Sequence, residues 1–89
     1  MKSKITKGSR KHLNQLPQSI REQARNAYAL WRSDAYHNSL QFKRVNQQPA
    51  IYSVRIGLNY RALGFLENNE IYWFWIGSHA EYDALLKRL

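Results

Sequence analysis

Three apolar runs lie close together in the C-terminal half of the chain, and the short links between them leave little choice of fold. "IYSVRIG", from Ile51, alternates Tyr52, Val54 and Ile56 against Ser53 and Arg55, the period of a strand with one face in a core. "GLN" (Gly57–Asn59) is a three-residue turn, so "YRALGFLE" must come straight back beside the first strand. Asn68-Asn69 suits a two-residue type I′ hairpin, because asparagine tolerates positive φ. "EIYWFWIG" is then a third strand, apolar on both faces and so expected to be covered on both sides. Trp73 and Trp75, at period 2 inside it, read as core.

Helices are expected on either side of this meander. Ser9 can cap a short helix through about Leu16, and Pro17 ends it, since the residue before proline avoids the α region. A longer helix follows, with Pro17 in its first turn and "SIRE" (Ser19–Glu22) as a competing capping box. Ile20, Ala24, Ala27 and Trp31 recur on one face of it. "SDAYHNS" (33–39) reads as a loop, "LQFKRV" (Leu40–Val45) as a short strand and "NQQPA" as a second loop. "SHAEYDALLKRL" closes the chain as a helix, capped by Ser78, with Tyr82, Leu85, Leu86 and Leu89 on one stripe.

Charge narrows the function. In 89 residues, 14 Lys and Arg oppose 6 Asp and Glu, a net charge of +8, and a field of that sign attracts nucleic acid, an anionic membrane or an acidic protein. The length fits a single domain spanning 1–89. With no cysteine, disulfides and thiolate metal sites are excluded. No apolar run is long enough to span a bilayer, and "MKSKITKGSRKHL" lacks the apolar segment of a secretory signal, so a cytoplasmic protein without membrane partners is expected. Asp34 and His37 have no third ligand nearby, and no Gly-rich phosphate loop is present, so no metal or cofactor is expected.

Hairpin geometry adds a site. With Leu58 at the centre of the first turn, Arg55 and Arg61 face each other; with Asn68-Asn69 as the second, Arg61 lies opposite Ile76. His79 follows within three residues, so two guanidiniums and an imidazole converge at one sheet edge. Opposed like charges destabilise a strand pair, and such a pair persists more readily where an anion sits between them. RNA cleavage by attack of a 2′-OH on the adjacent phosphorus needs this set: fork donors on the nonbridging oxygens and a group that moves protons. Arg55 and Arg61 suit the first role and His79 the second. Tyr82 offers a hydrogen bond or a stacking surface, and Lys43 and Arg44 a hold on the flanking backbone. Each also has a structural reading: His79 as a helix cap, Arg55 and Arg61 as solvated strand residues, Tyr82 as a helix-to-core contact, and Lys43-Arg44 as a charged strand end.

The pieces "LP" (Leu16-Pro17), "LQFKRV", "YSVRIGLNYRALGF" and "WFWIGSHAEYD", in this order and spacing, resemble the RelE/ParE superfamily of toxins from bacterial toxin–antitoxin systems. The resemblance implies an α+β fold. Two N-terminal helices pack on a small, twisted, mostly antiparallel sheet, made of a three-strand β-meander plus one or two short strands, with a C-terminal helix. The usual N-terminal strand would be short or absent, since only "SKIT" (Ser3–Thr6) can supply it. The better match is the ribonuclease branch, which implies an endoribonuclease that cuts mRNA, generally on the ribosome. Arg55 and Arg61 would bind phosphate and transition state, His79 would act as acid or base, Lys43 would assist RNA binding, and Tyr82 would stand near an aromatic position of the family. A cognate acidic antitoxin would be its protein partner. Members carrying Arg at the His79 position, and lysines at that of Ser53, mark the departures. ParE-type members act on DNA gyrase without cutting RNA, and a basic RNA-binding module without catalysis is a third possibility; a fold alone does not separate these.

Overall fold

In the computed structural model, which describes residues 1–89, the elements in chain order are β1 (Lys2–Ile5), α1 (Lys7–Asn14), α2 (Gln18–Ser33), a 3₁₀ turn (Asn38–Leu40), β2 (Lys43–Asn46), β3 (Ile51–Ile56), β4 (Tyr60–Glu67), β5 (Glu70–Ser78) and α3 (His79–Leu86). The strands form one open five-stranded sheet in the order β1-β5-β4-β3-β2. The meander is antiparallel as expected, with Arg55 opposite Arg61 and Glu67 opposite Glu70. Both turns follow their chemistry: Gly57 (φ 59°), Asn68 (51°) and Asn69 (65°) all take positive φ.

Alternation sorts the strands into two faces. Val54, Ile56, Ala62, Ile71, Trp73 and Ile76 pack under α2, where Trp31 is 2% exposed and meets Trp73 edge-on at 5.3 Å. On the opposite face Ile51 and Leu63 are covered by Tyr82 of α3, with Phe65, Phe74 and Trp75 packed around them.

Several expectations change. The N-terminal strand is short, as expected, but lies at Lys2–Ile5, one residue earlier than Ser3–Thr6, and what was not expected is its partner: β1 pairs parallel with β5, Lys2 opposite Glu70 through Ile5 opposite Trp73. Parallel pairing needs a crossover partner far along the chain, which local pattern does not reveal. Thr6, not Ser9, caps α1, its hydroxyl accepting from the Ser9 amide at 3.2 Å, while Ser9 itself is buried. The Ser19 box does not form, and Pro17 takes the N-cap position of α2 without a side-chain hydrogen bond. The strand read at Leu40–Val45 begins only at Lys43, because Gln41 is left-handed (φ 47°) and sends Leu40 and Phe42 into the core. Leu89 lies beyond α3 and is 52% exposed.

The largest correction is one of register. Between Leu63 and Gly64 the pairing slips, so that Leu63 faces Trp75 while Gly64 faces Trp73. Phe74 is the extra residue, a β-bulge. Beyond it Arg61 lies opposite Gly77 instead of Ile76. The two tryptophans, two apart in sequence, therefore serve opposite faces: Trp73 belongs to the core under α2 and Trp75 to the cluster under α3.

Candidate functional site

None of the lysines and arginines is paired with a carboxylate; the one close contact between a basic and an acidic side chain joins His79 Nε2 to Asp83 Oδ2 at 3.3 Å. The positive charge is thus carried free into solvent. On the sheet it concentrates where β3 and β4 leave their shared turn. Arg55 and Arg61 are directly opposed there, both half-buried. Arg55 Nε donates to Gly57 O at 2.9 Å and Arg61 Nη1 to Tyr60 O at 2.8 Å. These bonds fix the side chains against the backbone and leave the other guanidinium donors free.

The bulge at Phe74 completes this corner. By placing Gly77 beside Arg61 it puts a residue without a side chain next to the guanidinium's strand position. The space above is taken by the Trp75 ring: a Cβ on Gly77 would stand 2.7 Å from Trp75 Cη2 and 3.1 Å from Glu81 Oε1. His12 of α1 is tilted against that indole, ring centres 6.3 Å apart.

The third member of the corner comes from α3. Ser78 and Glu81 form a reciprocal capping box: the Glu81 amide donates to Ser78 Oγ at 3.2 Å, and the Ser78 amide to Glu81 Oε1 at 2.9 Å. The bond from the Ser78 backbone amide holds the Glu81 carboxyl below its ordinary range, helped by the Ser78 side chain and by nearby His12. His79 is then the first residue of the helix, not its cap, and its amide donates to Asn59 O at 2.7 Å. That bond ties the start of α3 to the β3–β4 turn, on the arginine corner. The imidazole meets the Tyr82 ring edge-on at 5.9 Å and Asp83 on its other side. Two neighbours thus orient a ring that stays 46% exposed.

Tyr82 itself is 5% exposed, and its hydroxyl donates to Ser53 Oγ at 3.1 Å. It has no free face on which a base could stack; it supports His79 from beneath. Lys43 pairs with Ser53 across β2 and β3, so it shares the face of Arg55 and Arg61. Arg44 is not brought to the cluster. It pairs with Tyr52, on the opposite parity, and its guanidinium donates to Gln47 O at 2.6 Å, bracing the β2–β3 loop. The sequence reading missed His12, Glu81 and Asp83. Asp83 was recoverable from its i, i+4 spacing to His79. Glu81 was recoverable from its Ser-x-x-Glu spacing to Ser78, whereas His12 depends on where α1 crosses β5.

An open five-stranded sheet, a two-helix layer on one side, a single short helix on the other and an unneutralised cationic face together define the class: small basic toxins of toxin–antitoxin systems, of the RelE/ParE superfamily. Within it, the ParE-like toxin domain family matches residues 18–84, and the chain belongs to that family. Solved structures agree in fold. The RelB–RelE antitoxin–toxin complex from Methanococcus jannaschii contains a chain similar at 21% identity, over 90% of this chain and 95% of that one, with a TM-score of 0.69. A RelBE2 toxin–antitoxin complex from Mycobacterium tuberculosis gives 20% identity, 88% and 96% coverage and a TM-score of 0.62. A copper-bound mutant toxin from Helicobacter pylori gives 16%, 91% and 97%, and 0.60. No curated protein matches the chain by sequence. No helix is long and apolar enough to cross a membrane.

Proposed function

We propose that this toxin is a metal-independent endoribonuclease that cuts mRNA in the cytoplasm, on the ribosome, and so inhibits translation. The observation that carries the reading is the opposed, carboxylate-free pair Arg55–Arg61 beside the exposed, oriented imidazole of His79. The two guanidiniums take the nonbridging oxygens of one phosphate, whose charge grows in the transition state. The 2′-oxygen attacks phosphorus and loses its proton, the P–O5′ bond breaks, and the 5′-oxygen gains a proton. A 2′,3′-cyclic phosphate and a 5′-hydroxyl remain. His79 transfers a proton at one of these two oxygens and solvent water at the other, with Asp83 and Tyr82 holding the imidazole ring. Lys43 holds the flanking backbone.

Its partner, by analogy with the complexes that its structural relatives form, is an antitoxin. Acidic residues on that antitoxin would meet the free cations, and association would be fast and salt-sensitive.

The match to ParE-like domains favours a second reading, a toxin that acts on DNA gyrase without cutting RNA. Purified protein incubated with ribosomes and mRNA separates the two by primer extension. New ends that disappear in Arg61→Ala and His79→Ala support the nuclease. Absence of new ends, together with inhibited supercoiling, supports the gyrase reading. RNA binding with a steep salt slope and no cuts would leave a basic binding module.

A further inference from the structure

Beside the arginine corner, between α2 and the β3–β4 turn, lies an open groove of about 440 Å³, within the size range of small-ligand sites. Its floor is apolar, made by Leu30 and Leu40, and its rim carries Gln23, Asn26 and Arg55. Arg55 therefore belongs both to this groove and to the opposed pair on the sheet.

Two amides of the rim are left with hydrogen-bonding capacity to spare. Gln18 binds Glu22 at 3.2 Å one turn earlier, yet the Gln23 and Asn26 amides, both exposed, have no side-chain partner in the protein. Gln23 is nonetheless placed: its Oε1 fills the space where a Cβ on Gly57 would stand. The Gly57 carbonyl in turn receives Arg55 Nε at 2.9 Å, so amide, turn and guanidinium converge. Leu58, at the tip of the turn, lines the same groove and is 76% exposed.

We infer that this groove receives the nucleobase of the RNA nucleotide next to the phosphate held by Arg55 and Arg61, an inference that rests on the nuclease reading for its substrate. An unstacked base has two apolar faces and a polar edge. Leu58 and the leucine floor suit the faces. The two carboxamides, each with a donor and an acceptor, suit the edge. Arg55 joins the two subsites, since a phosphate on its guanidinium brings the attached nucleoside to the rim. The division follows a general rule: phosphate contacts position the chain, and base contacts specify it. Gln23 and Asn26 are thus specificity residues, uncharged and apart from the reacting atoms.

Non-cleavable 2′-O-methyl RNA oligonucleotides, identical except for each of the four bases at one position, test this by fluorescence anisotropy with the full chain. Cleavage sites are mapped in parallel on ribosome-bound mRNA. Wild type should prefer one base by about tenfold, the scale of one well-made amide–base pair. Gln23→Ala/Asn26→Ala should bring all four affinities within about twofold of each other, with an unchanged salt slope and thermal unfolding. Both residues are exposed on a helix, and alanine favours helix there. An unaltered preference in the double variant overturns the inference, as does a wild type that binds all four equally. A protein that cuts RNA with a preference indifferent to the substitutions leaves the nuclease standing and removes the groove. One that cuts nothing but loses base discrimination in the double variant does the reverse.

Discussion

The two faces of the sheet are built from the same strands and have opposite characters. Alternate residues of β3 make the contrast plain: Val54 and Ile56 pack under α2, while Ile51 and Ser53 meet Tyr82 of α3. Ten buried residues form the core on the α2 side, including Trp31, Phe42, Ile71 and Trp73; three, Ile51, Leu63 and Tyr82, form that on the other. One face holds the fold together. The other is covered by an eight-residue helix and keeps its cations unpaired. A domain this small has little stability to spare, so concentrating burial on one face leaves the other free to carry mutually repelling charge.

The strongest attempt to break this division is Trp31→Ala. Trp31 packs edge-on against both Phe42 and Trp73. Its removal should lower the unfolding free energy by about 3–5 kcal/mol, read by urea denaturation, and growth arrest should fail because the chain unfolds. The counterpart on the other face is Arg61→Ala. Cleavage should fall by about 10²–10³-fold, the effect of removing one donor to a charged transition state. The urea midpoint should stay put or rise slightly, since one of two facing like charges is gone. A large loss of stability in Arg61→Ala would show that the two faces are not separable in this way.

The same division explains what the sequence could reveal. Period-2 alternation and turn chemistry are local, so the meander and the facing of Arg55 and Arg61 were legible from "VRIGLNYR" alone. The bulge was not. Nothing in "YWFWI" marks a break, yet Phe74 is the extra residue and packs with Trp75 on the α3 face. That one residue moved Trp75 to the α3 face and replaced Ile76 by Gly77 beside Arg61. The parallel pairing of β1 with β5 and the groove at Gln23 are products of long-range assembly, so no run of neighbouring residues announces them. Thr6 displaced Ser9 as cap of α1 because several hydroxyls compete there, and the parallel pairing of β1 ends at Ile5, just before Thr6.

A smaller effect sharpens the comparison at the one point where the α3 face does depend on burial. The Tyr82 hydroxyl donates to Ser53, which is 1% exposed. Tyr82→Phe leaves the ring in place and removes that donor, at a cost of about 1 kcal/mol. Cleavage should change by less than about threefold, on the scale of a modest hydrogen-bond effect, because the ring edge still supports His79. A loss as large as that of Arg61→Ala would mean that the hydroxyl itself takes part in the reaction.

The smallest effect concerns the hold of α3 on the sheet. Its first turn depends on the Ser78–Glu81 box, and Glu81 sits below its ordinary pKa of 4.5 because the Ser78 amide binds the carboxylate. A lowered folded pKa means that the unfolded chain takes up the proton first, so the contribution is present above about pH 4.5 and fades as pH falls through the folded value. Glu81 is exposed, and solvent screening keeps the charge effect to about a few tenths of a kcal/mol. Glu81→Gln should therefore unfold at a slightly lower temperature than wild type at neutral pH, and the two should coincide once the wild-type carboxyl is protonated. Amide exchange should localise the difference: α3 amides exchange faster in the variant at neutral pH, while those of α2 and β4 do not change. If the α2 amides accelerate equally, α3 is locked to the main core, and the face that carries the cations is no looser than the face that carries the fold.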